Sequence, residues 1–284
     1  MIKFTKMHGA GNDYIYINCF DGSEIIKKDG SADNEMIASI SRRRFSVGSD
    51  GVILICRSDI ADAKMRMFNA DGSEGRMCGN AIRCVGKYLY DNGICKKNVL
   101  KIETLSGIKT LWLNVKNGRV SSVSVDMGKA DLTPSVIPVL VDAEKAINCH
   151  MNIGGTDYTV TCVSMGSPHS VVFVDDVDGF PLDTIGPLFE NAPVFPDRVN
   201  AEFVKVIGKN RIQMRVWERG SGETLACGTG SCAVTVAACL NGYCDFNKET
   251  EVVLRGGTLY ITVKDDLNVI MRGEAVKVYD GVIE

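Results

Sequence analysis

Two turns of one design, at corresponding points of the chain, constrain its fold more than any other feature. Glu74-Gly75-Arg76-Met77-Cys78-Gly79-Asn80 and Glu223-Thr224-Leu225-Ala226-Cys227-Gly228-Thr229 both read Glu-x-x-x-Cys-Gly and both feed an apolar run. Their cysteines lie 149 positions apart (227 − 78). The echo extends further: Asn92-Gly93 and Asn241-Gly242 each fall 14 and 15 residues after the cysteine. The chain thus twice starts a helix of about four turns at a cysteine and stops it at Asn-Gly. An internal repeat of this length points to two halves built on one plan.

The rest of the pattern fits that plan. Ile2–Met7 and Tyr14–Cys19 read as strands joined by the glycine-rich stretch His8-Gly9-Ala10-Gly11-Asn12-Asp13. That stretch is either a hairpin connection or a loop that brings the Asn12 amide to a ligand. Residues 33–44 read as a helix with Asp33 as N-cap. Its basic end, Arg42-Arg43-Arg44, reads as a solvated helix terminus rather than a nucleic-acid patch. Strands are expected at 52–56 and 64–69 before the first cysteine turn, and at 99–104, 108–115 and 119–126 after its helix. In the second half, strands near 146–153, 157–163, 170–174, 201–207 and 211–217 and a helix near 182–190 lead into the second cysteine turn. Four more strands then close the chain. Both cysteine helices look apolar on most sides, as in Ala233-Val234-Thr235-Val236-Ala237-Ala238, and such helices are buried. All seven prolines lie between Pro134 and Pro196, which puts the expected boundary near 127–134. The fold class is α/β (α+β), with two pseudosymmetric domains, each a curved, mostly antiparallel sheet around a central helix. The domains expected are 1–127, completed by a last strand near 275–284, and 128–274, with the active site in the cleft between them.

Composition removes several function classes. A net charge of −3 with scattered cations argues against nucleic acid. The N-terminus has no signal-peptide pattern, and the apolar stretch at Val136–Val141 is broken by Pro138, so no membrane span is expected. Eleven cysteines, an odd and irregularly spaced set, argue against a disulfide framework and for a reducing cytoplasm. No Cys-x-x-Cys pair exists and the three histidines are far apart, so no metal site is expected. Most of the cysteines should be small buried hydrophobes. No dinucleotide fingerprint follows a strand, and Cys227-Gly228-Thr229-Gly230-Ser231 lacks the lysine of a phosphate loop, so the chemistry reads as cofactor-independent.

A thiol at a helix start sits among unpaired N–H groups at the positive end of the helix dipole. That should lower its pKa toward neutrality and offer a carboxylate site beside it. One such turn fits a nucleophile, a redox cysteine or a mere tight turn. Two in duplicated halves suggest two thiols flanking one carbon: a thiolate removes the α-proton, and a thiol returns one from the other side. The carbanion would be stabilised by N–H groups aimed at the adjacent carboxylate.

At these residues the chain resembles the diaminopimelate epimerase family. The resemblance covers nearly the full length. It is carried by His8-Gly9-Ala10-Gly11-Asn12-Asp13, Asn69-Ala70-Asp71-Gly72-Ser73 and Met77-Cys78-Gly79-Asn80. It continues in Gly166-Ser167-Pro168-His169, Arg198-Val199-Asn200, Glu218-Arg219-Gly220 and Ala226-Cys227-Gly228-Thr229-Gly230. The resemblance implies two pseudosymmetric domains in a homodimer and interconversion of LL- and meso-diaminopimelate, toward lysine and peptidoglycan precursors. It implies that Cys78 and Cys227 are acid and base, supported by His169 and Glu218. Gly79, Asn80, Gly228 and Thr229 would hold the reacting carboxylate, while Asn12, Asn69, Asn200, Glu218 and Arg219 line the pocket. Two positions depart from the family pattern and are kept as substrate-binding candidates: Ser167 replaces an asparagine, and Gly51 stands where some members carry glutamine. Other readings are a racemase of another amino acid and a thiol redox or ligand-binding protein.

Overall fold

The computed structural model describes every residue from Met1 to Glu284. These divide into two compact units, Met1–Val125 with Gly273–Glu284, and Asp126–Arg272. The first unit contains β1 (Ile2–Gly9), β2 (Asn12–Asn18), α1 (Asn34–Ser41), β3 (Gly51–Cys56), β4 (Ala63–Asn69), β5 (Glu74–Gly75), α2 (Gly79–Asp91), β6 (Val99–Thr104), β7 (Gly107–Lys116) and the start of β8 (Arg119–Lys129). The second contains β9 (Cys149–Ile153), β10 (Thr156–Ser164), β11 (Pro168–Phe173), α3 (Leu182–Glu190), β12 (Asn200–Gly208), β13 (Arg211–Glu218), β14 (Gly222–Glu223), α4 (Gly228–Leu240), β15 (Glu249–Leu254), β16 (Gly257–Val263) and β17 (Asn268–Gly273). The chain then returns as β18 (Val276–Ile283), antiparallel to β1. The first boundary falls inside β8, upstream of the proline-bearing segment.

The two units repeat one pairing pattern. In the first, β1–β2, β3–β4, β6–β7 and β7–β8 are antiparallel, while β2–β3 and β4–β6 are parallel. In the second, β10–β11, β12–β13, β15–β16 and β16–β17 are antiparallel, while β11–β12 and β13–β15 are parallel. α1 and α3 fill the crossovers of the first parallel pairs, and α2 and α4 those of the second, as parallel strands require. Even the outer strand is matched: β18 flanks β1 as β9 flanks β10.

Local chemistry explains the element ends. β1 and β2 pair through Gly9 and Asn12, which leaves only Ala10-Gly11 in the turn. Both have positive φ, +54° and +80°, matching the twist of a two-residue hairpin. Of the two readings of His8–Asp13, the structure has the hairpin connection, with a tight turn and Asn12 already in a strand. Asp33 caps α1 by accepting the Met36 N–H at 3.1 Å. α1 stops at Ser41, short of residue 44, because Arg42 is extended and Arg44 is left-handed. Arg42, Arg43 and Arg44 are exposed just past the end of α1, as a solvated terminus should be, and Arg43 also binds Asp13 and, at 2.8 Å, Asp50.

The central strands are buried on both faces, so they read as apolar runs rather than alternating ones. In β3, Val52 and Leu54 join a core of Ile15, Ile17, Ile37 and Phe68 on one face. Tyr16, on β2, instead donates its hydroxyl to the Ala81 carbonyl of α2 at 3.2 Å. α2 packs against β1, β2 and β7, and Gly86 lets Leu111 and Leu113 approach it closely. α4 is buried around nearly its whole circumference. α2 is not: its last turns expose part of Lys87, Tyr88, Tyr90 and Asp91, and Lys87 bonds Asp91 at 2.7 Å. The expectation of a helix apolar on most sides thus holds for α4 and for the first turns of α2, whose far end meets water.

Candidate active site

Each cysteine is the N-cap of its helix, with extended backbone angles: φ −129° and ψ 121° at Cys78, φ −115° and ψ 113° at Cys227. The extended cap points the sulfur back over the first turn, where the helix N–H groups lack intrahelical partners.

At the first turn, Cys78 Sγ lies 3.3 Å from Asn12 Oδ1, and Asn80 Nδ2 lies 3.4 Å from the same oxygen. The orientation of the Asn12 amide follows from its other end, since Asn12 Nδ2 donates to the Asp50 carboxylate at 2.7 Å. Asp50 also accepts the Asp13 N–H and Arg43, while Lys6 pairs with Asp13 at 2.5 Å. Burial pushes the Asp13 carboxyl up, but Arg43 and Lys6 prevail and hold it below the ordinary value. Behind Asn80 lies Arg83, with no exposed surface. Its guanidinium donates to Asn80 Oδ1 at 3.1 Å and Gly79 O at 3.2 Å, and its Nε to Glu274 O at 3.3 Å. This fixes the Asn80 amide with its nitrogen toward Asn12. Burial raises the Cys78 thiol above its ordinary value, opposed by the Ala81 N–H, Tyr14, the Asn80 N–H and Arg83.

At the second turn, Cys227 Sγ accepts the Gly230 N–H at 3.3 Å and lies 3.5 Å from Thr229 Oγ1. Its thiol is raised well above the ordinary value by burial, then by Glu218 and Glu202, against Thr229 and the Gly230 N–H. The lowering expected from the helix start is therefore outweighed at both cysteines in the resting protein. Water is removed from both sulfurs, and at Cys227 two carboxylates oppose the anion.

His169, on β11, has no exposed surface, and both ring nitrogens are engaged. Nδ1 lies 2.6 Å from Glu202 Oε1, and Nε2 lies 3.0 Å from Ser167 Oγ. Asn200 donates to Pro168 O at 2.8 Å and accepts the Arg219 N–H at 2.9 Å, tying β12 to the two segments that hold His169 and Glu218. Arg219 extends its guanidinium to Asp197 O at 2.9 Å, and Glu218 accepts a bond from Thr224. Arg219 and Glu218 thus each bond to other residues rather than only to one another. Asn69 is exposed and bonds Ser73 Oγ at 3.0 Å within its own turn. Gly51 pairs with Asn69 across β3 and β4, and a Cβ there would lie 1.9 Å from Phe68 O. This backbone has no room for a side chain, so Gly51 can offer only main-chain groups.

Asn12, Cys78 and Asn80 are therefore gathered around one amide oxygen, and Cys227 and Thr229 are gathered at the second turn. Arg83, Tyr14, Asp50 and Glu202 did not emerge from the sequence motifs. A signal was present for two of them. Glu202 and Arg83 are lone charges within Ala201–Val204 and Ala81–Val85, and a charge inside a buried element needs a partner.

The sequence profile described as diaminopimelate epimerase matches residues 4–133 and 161–278. This chain belongs to the diaminopimelate epimerase family. It is 53% identical over 284 residues to diaminopimelate epimerase of Acetivibrio thermocellus, covering 100% of this chain and 99% of that one. It is 50% identical to the diaminopimelate epimerase of Methanococcus maripaludis strain S2, with both chains covered in full, 100% each. The family catalyses the isomerisation of LL- to meso-diaminopimelate in lysine biosynthesis. Among solved structures, hydroxyproline epimerase from Agrobacterium vitis aligns with a TM-score of 0.69 at 14% identity, covering 99% of this chain and 91% of that one. A phenazine biosynthesis protein of the PhzF family from Bacillus anthracis aligns with 0.67 at 18%, covering 100% and 99%. At such identities the likeness speaks for the fold, a strand-rich α+β architecture with few helices. No helix is long and apolar enough to cross a membrane.

Proposed function

We propose that this chain inverts the α-carbon of LL-2,6-diaminopimelate without a cofactor, using Cys78 and Cys227 as its two acid–base groups. One observation carries the reading: the two thiols are the N-caps of equivalent helices, α2 and α4, in two units of one topology. One sulfur, as thiolate, takes the α-proton, and the other, as thiol, gives a proton to the opposite face. Each turnover therefore leaves the sulfurs with exchanged roles and no net proton gained or lost. Gly79, Asn80, Gly228 and Thr229 supply main-chain N–H groups for the carboxylate whose charge grows as the proton leaves. Glu218 is suited to the reacting ammonium. A cation beside Cys227 would offset the carboxylates that raise its thiol, so thiolate would form when substrate is bound. Asn12, Asn69, Ser167, Asn200 and Arg219 complete the proposed substrate contacts. A homodimer in the cytoplasm belongs to the same reading by family resemblance.

Incubated in deuterium oxide, the reduced protein should exchange the α-proton of diaminopimelate while forming the meso isomer. Cys78→Ala and Cys227→Ala should each lower turnover by about a thousandfold or more, because a two-base inversion has no spare group. A variant that still epimerises at the wild-type rate removes that cysteine from the mechanism. Ser167 and the missing side chain at Gly51 favour one alternative, racemisation of another amino acid. Chiral analysis of a panel of L-amino acids separates the two, since faster inversion of another substrate than of diaminopimelate supports the alternative.

A further inference from the structure

Glu202 is a carboxylate with no exposed surface, and a cost of that kind requires compensation. One oxygen, Oε1, meets His169 Nδ1 at 2.6 Å, while Oε2 is buried without a hydrogen-bond partner. The backbone makes room for it: a Cβ at Gly230, in the first turn of α4, would lie 2.8 Å from Oε1. The imidazole passes the connection on, with Nε2 3.0 Å from the hydroxyl of the half-buried Ser167. Ser167 is thus the accessible end of a three-residue chain whose other two members are sealed from water. Both His169 ring nitrogens are engaged, and Ser167 is the one member of the three with exposed surface.

We propose that Glu202 is a positioning residue which, through His169, sets whether Ser167 meets substrate as a hydrogen-bond acceptor or donor. This rests on the reading that Ser167 contacts diaminopimelate. With Glu202 ionised and His169 neutral, Nδ1–H donates to the carboxylate and the bare Nε2 accepts the Ser167 O–H. The serine then turns only lone pairs outward, the polarity that suits a substrate ammonium. When the pair takes up one proton, the result is the same wherever that proton sits. As imidazolium with carboxylate, or as imidazole with carboxylic acid, the ring carries hydrogen on Nε2 and donates to Ser167 Oγ. The hydroxyl hydrogen must then swing outward and repel an ammonium. Burial pushes Glu202 up to about 7, with His169 pulling it down and Glu218 raising it, so the exchange falls within the working range. The other titratable groups acting in this neighbourhood are Glu218 on β13, Cys227 at the start of α4 and Cys162 on β10.

The test combines nitrogen NMR with steady-state kinetics. The chain has only three histidines, and His169→Asn assigns the ring. In the unliganded wild type at pH 8, Nδ1 should be protonated and Nε2 bare, with Nε2 gaining hydrogen when the Glu202–His169 pair takes up its proton. A protonated Nε2 at pH 8 overturns the proposal. KM for diaminopimelate should rise about tenfold from pH 8 to pH 6 in the wild type. The rise should vanish in Ser167→Ala and Glu202→Gln, and the double variant should have no higher KM than the worse single one, since all act through one hydroxyl. Multiplying effects in the double variant, or a pH-dependent KM surviving in Ser167→Ala, refute the relay. If Glu202→Gln does not fold, the wild-type titration and Ser167→Ala decide. If the wild type does not epimerise diaminopimelate, the proposed function fails, while the NMR titration still judges the coupling of Glu202 to His169.

Discussion

Around Cys78 the neighbours that favour a thiolate are the buried Arg83, Tyr14 and two helix N–H groups, whereas around Cys227 the nearest charges are the carboxylates of Glu218 and Glu202. The backbone that presents the two sulfurs is nearly the same. Equivalent positions carry different chemistry: five residues past the cysteine stands Arg83 in α2 but Cys232 in α4, and two residues past it stands Asn80 or Thr229. The parallel strand pairs align the rest. Tyr14 faces Gly51 as His169 faces Asn200, so a phenol in one unit takes the position of an imidazole in the other. Duplication has preserved the helix start as a device for placing a sulfur. The acidity of that sulfur was left to side chains of the helix itself and of neighbouring strands, and these have diverged. The substrate's reacting centre is asymmetric too, with an ammonium and a carboxylate on one carbon, so two identical turns would serve it poorly.

The largest expected effect of this asymmetry is on stability. Arg83→Met strips donors from Asn80 Oδ1, Gly79 O and Glu274 O at a fully buried position, and should destabilise the protein by about 3 kcal/mol in denaturant titration. Cys232→Ala, at the matching position of α4, removes a small buried thiol and should cost about 1 kcal/mol. Equal losses would erase the distinction drawn between the two helices. Alkylation provides the next test. Cys78 is more accessible and lacks the flanking carboxylates, so iodoacetamide should modify it about tenfold faster than Cys227 in the unliganded protein. Mass spectrometry of partially labelled protein gives the order, and a faster Cys227 breaks the comparison. Glu218→Gln sharpens it: loss of a carboxylate that raises the Cys227 thiol should speed that thiol's alkylation several-fold while turnover falls.

The smallest effect is on the pH dependence of folding. Glu202 is raised from an ordinary 4.5 to about 7, so between these values the folded chain holds a proton that the unfolded chain has released. Its stabilising contribution is complete below about 4.5 and is lost as the pH rises toward about 7. With that proton on the carboxyl, the stability of wild type relative to Glu202→Gln should fall across that interval, and a flat difference would place the proton on the imidazole, which the unfolded chain also protonates there, or the carboxyl at its ordinary value.

Much of this was legible in the sequence because it is local. Asp33 caps α1, the cysteines cap α2 and α4, and Asn92 and Asn241 end those helices, each through groups a few residues apart. What escaped depends on register. Glu202 finds His169 only because β11 and β12 run parallel with His169 beside Asn200. The hub at Asp13 and Asp50 needs β1, β2, the turn after α1 and the start of β3 together before Lys6, Asn12 and Arg43 converge. The thiol acidities were misjudged because the sequence displays the helix start but hides the desolvation around it. The length of α1 was overestimated because nothing in Arg42-Arg43-Arg44 reveals that Arg44 turns left-handed while Arg43 reaches back to two carboxylates.

The last strand bears on how the chain is made. β18 completes the first unit by pairing with β1, yet it is synthesised after the whole of the second unit. At about 5–20 residues per second, a ribosome needs on the order of ten seconds to pass from the end of the first segment to the strand that closes it. During that interval the N-terminal unit has an unpaired β1 edge, with Ile2 and Phe4 beside it, while the interrupting unit already has all its strands. An open edge of this kind invites association between nascent chains. The N-terminal half is therefore the part that waits with an open edge, and a chain cut short by a dozen residues lacks the strand that closes its older half.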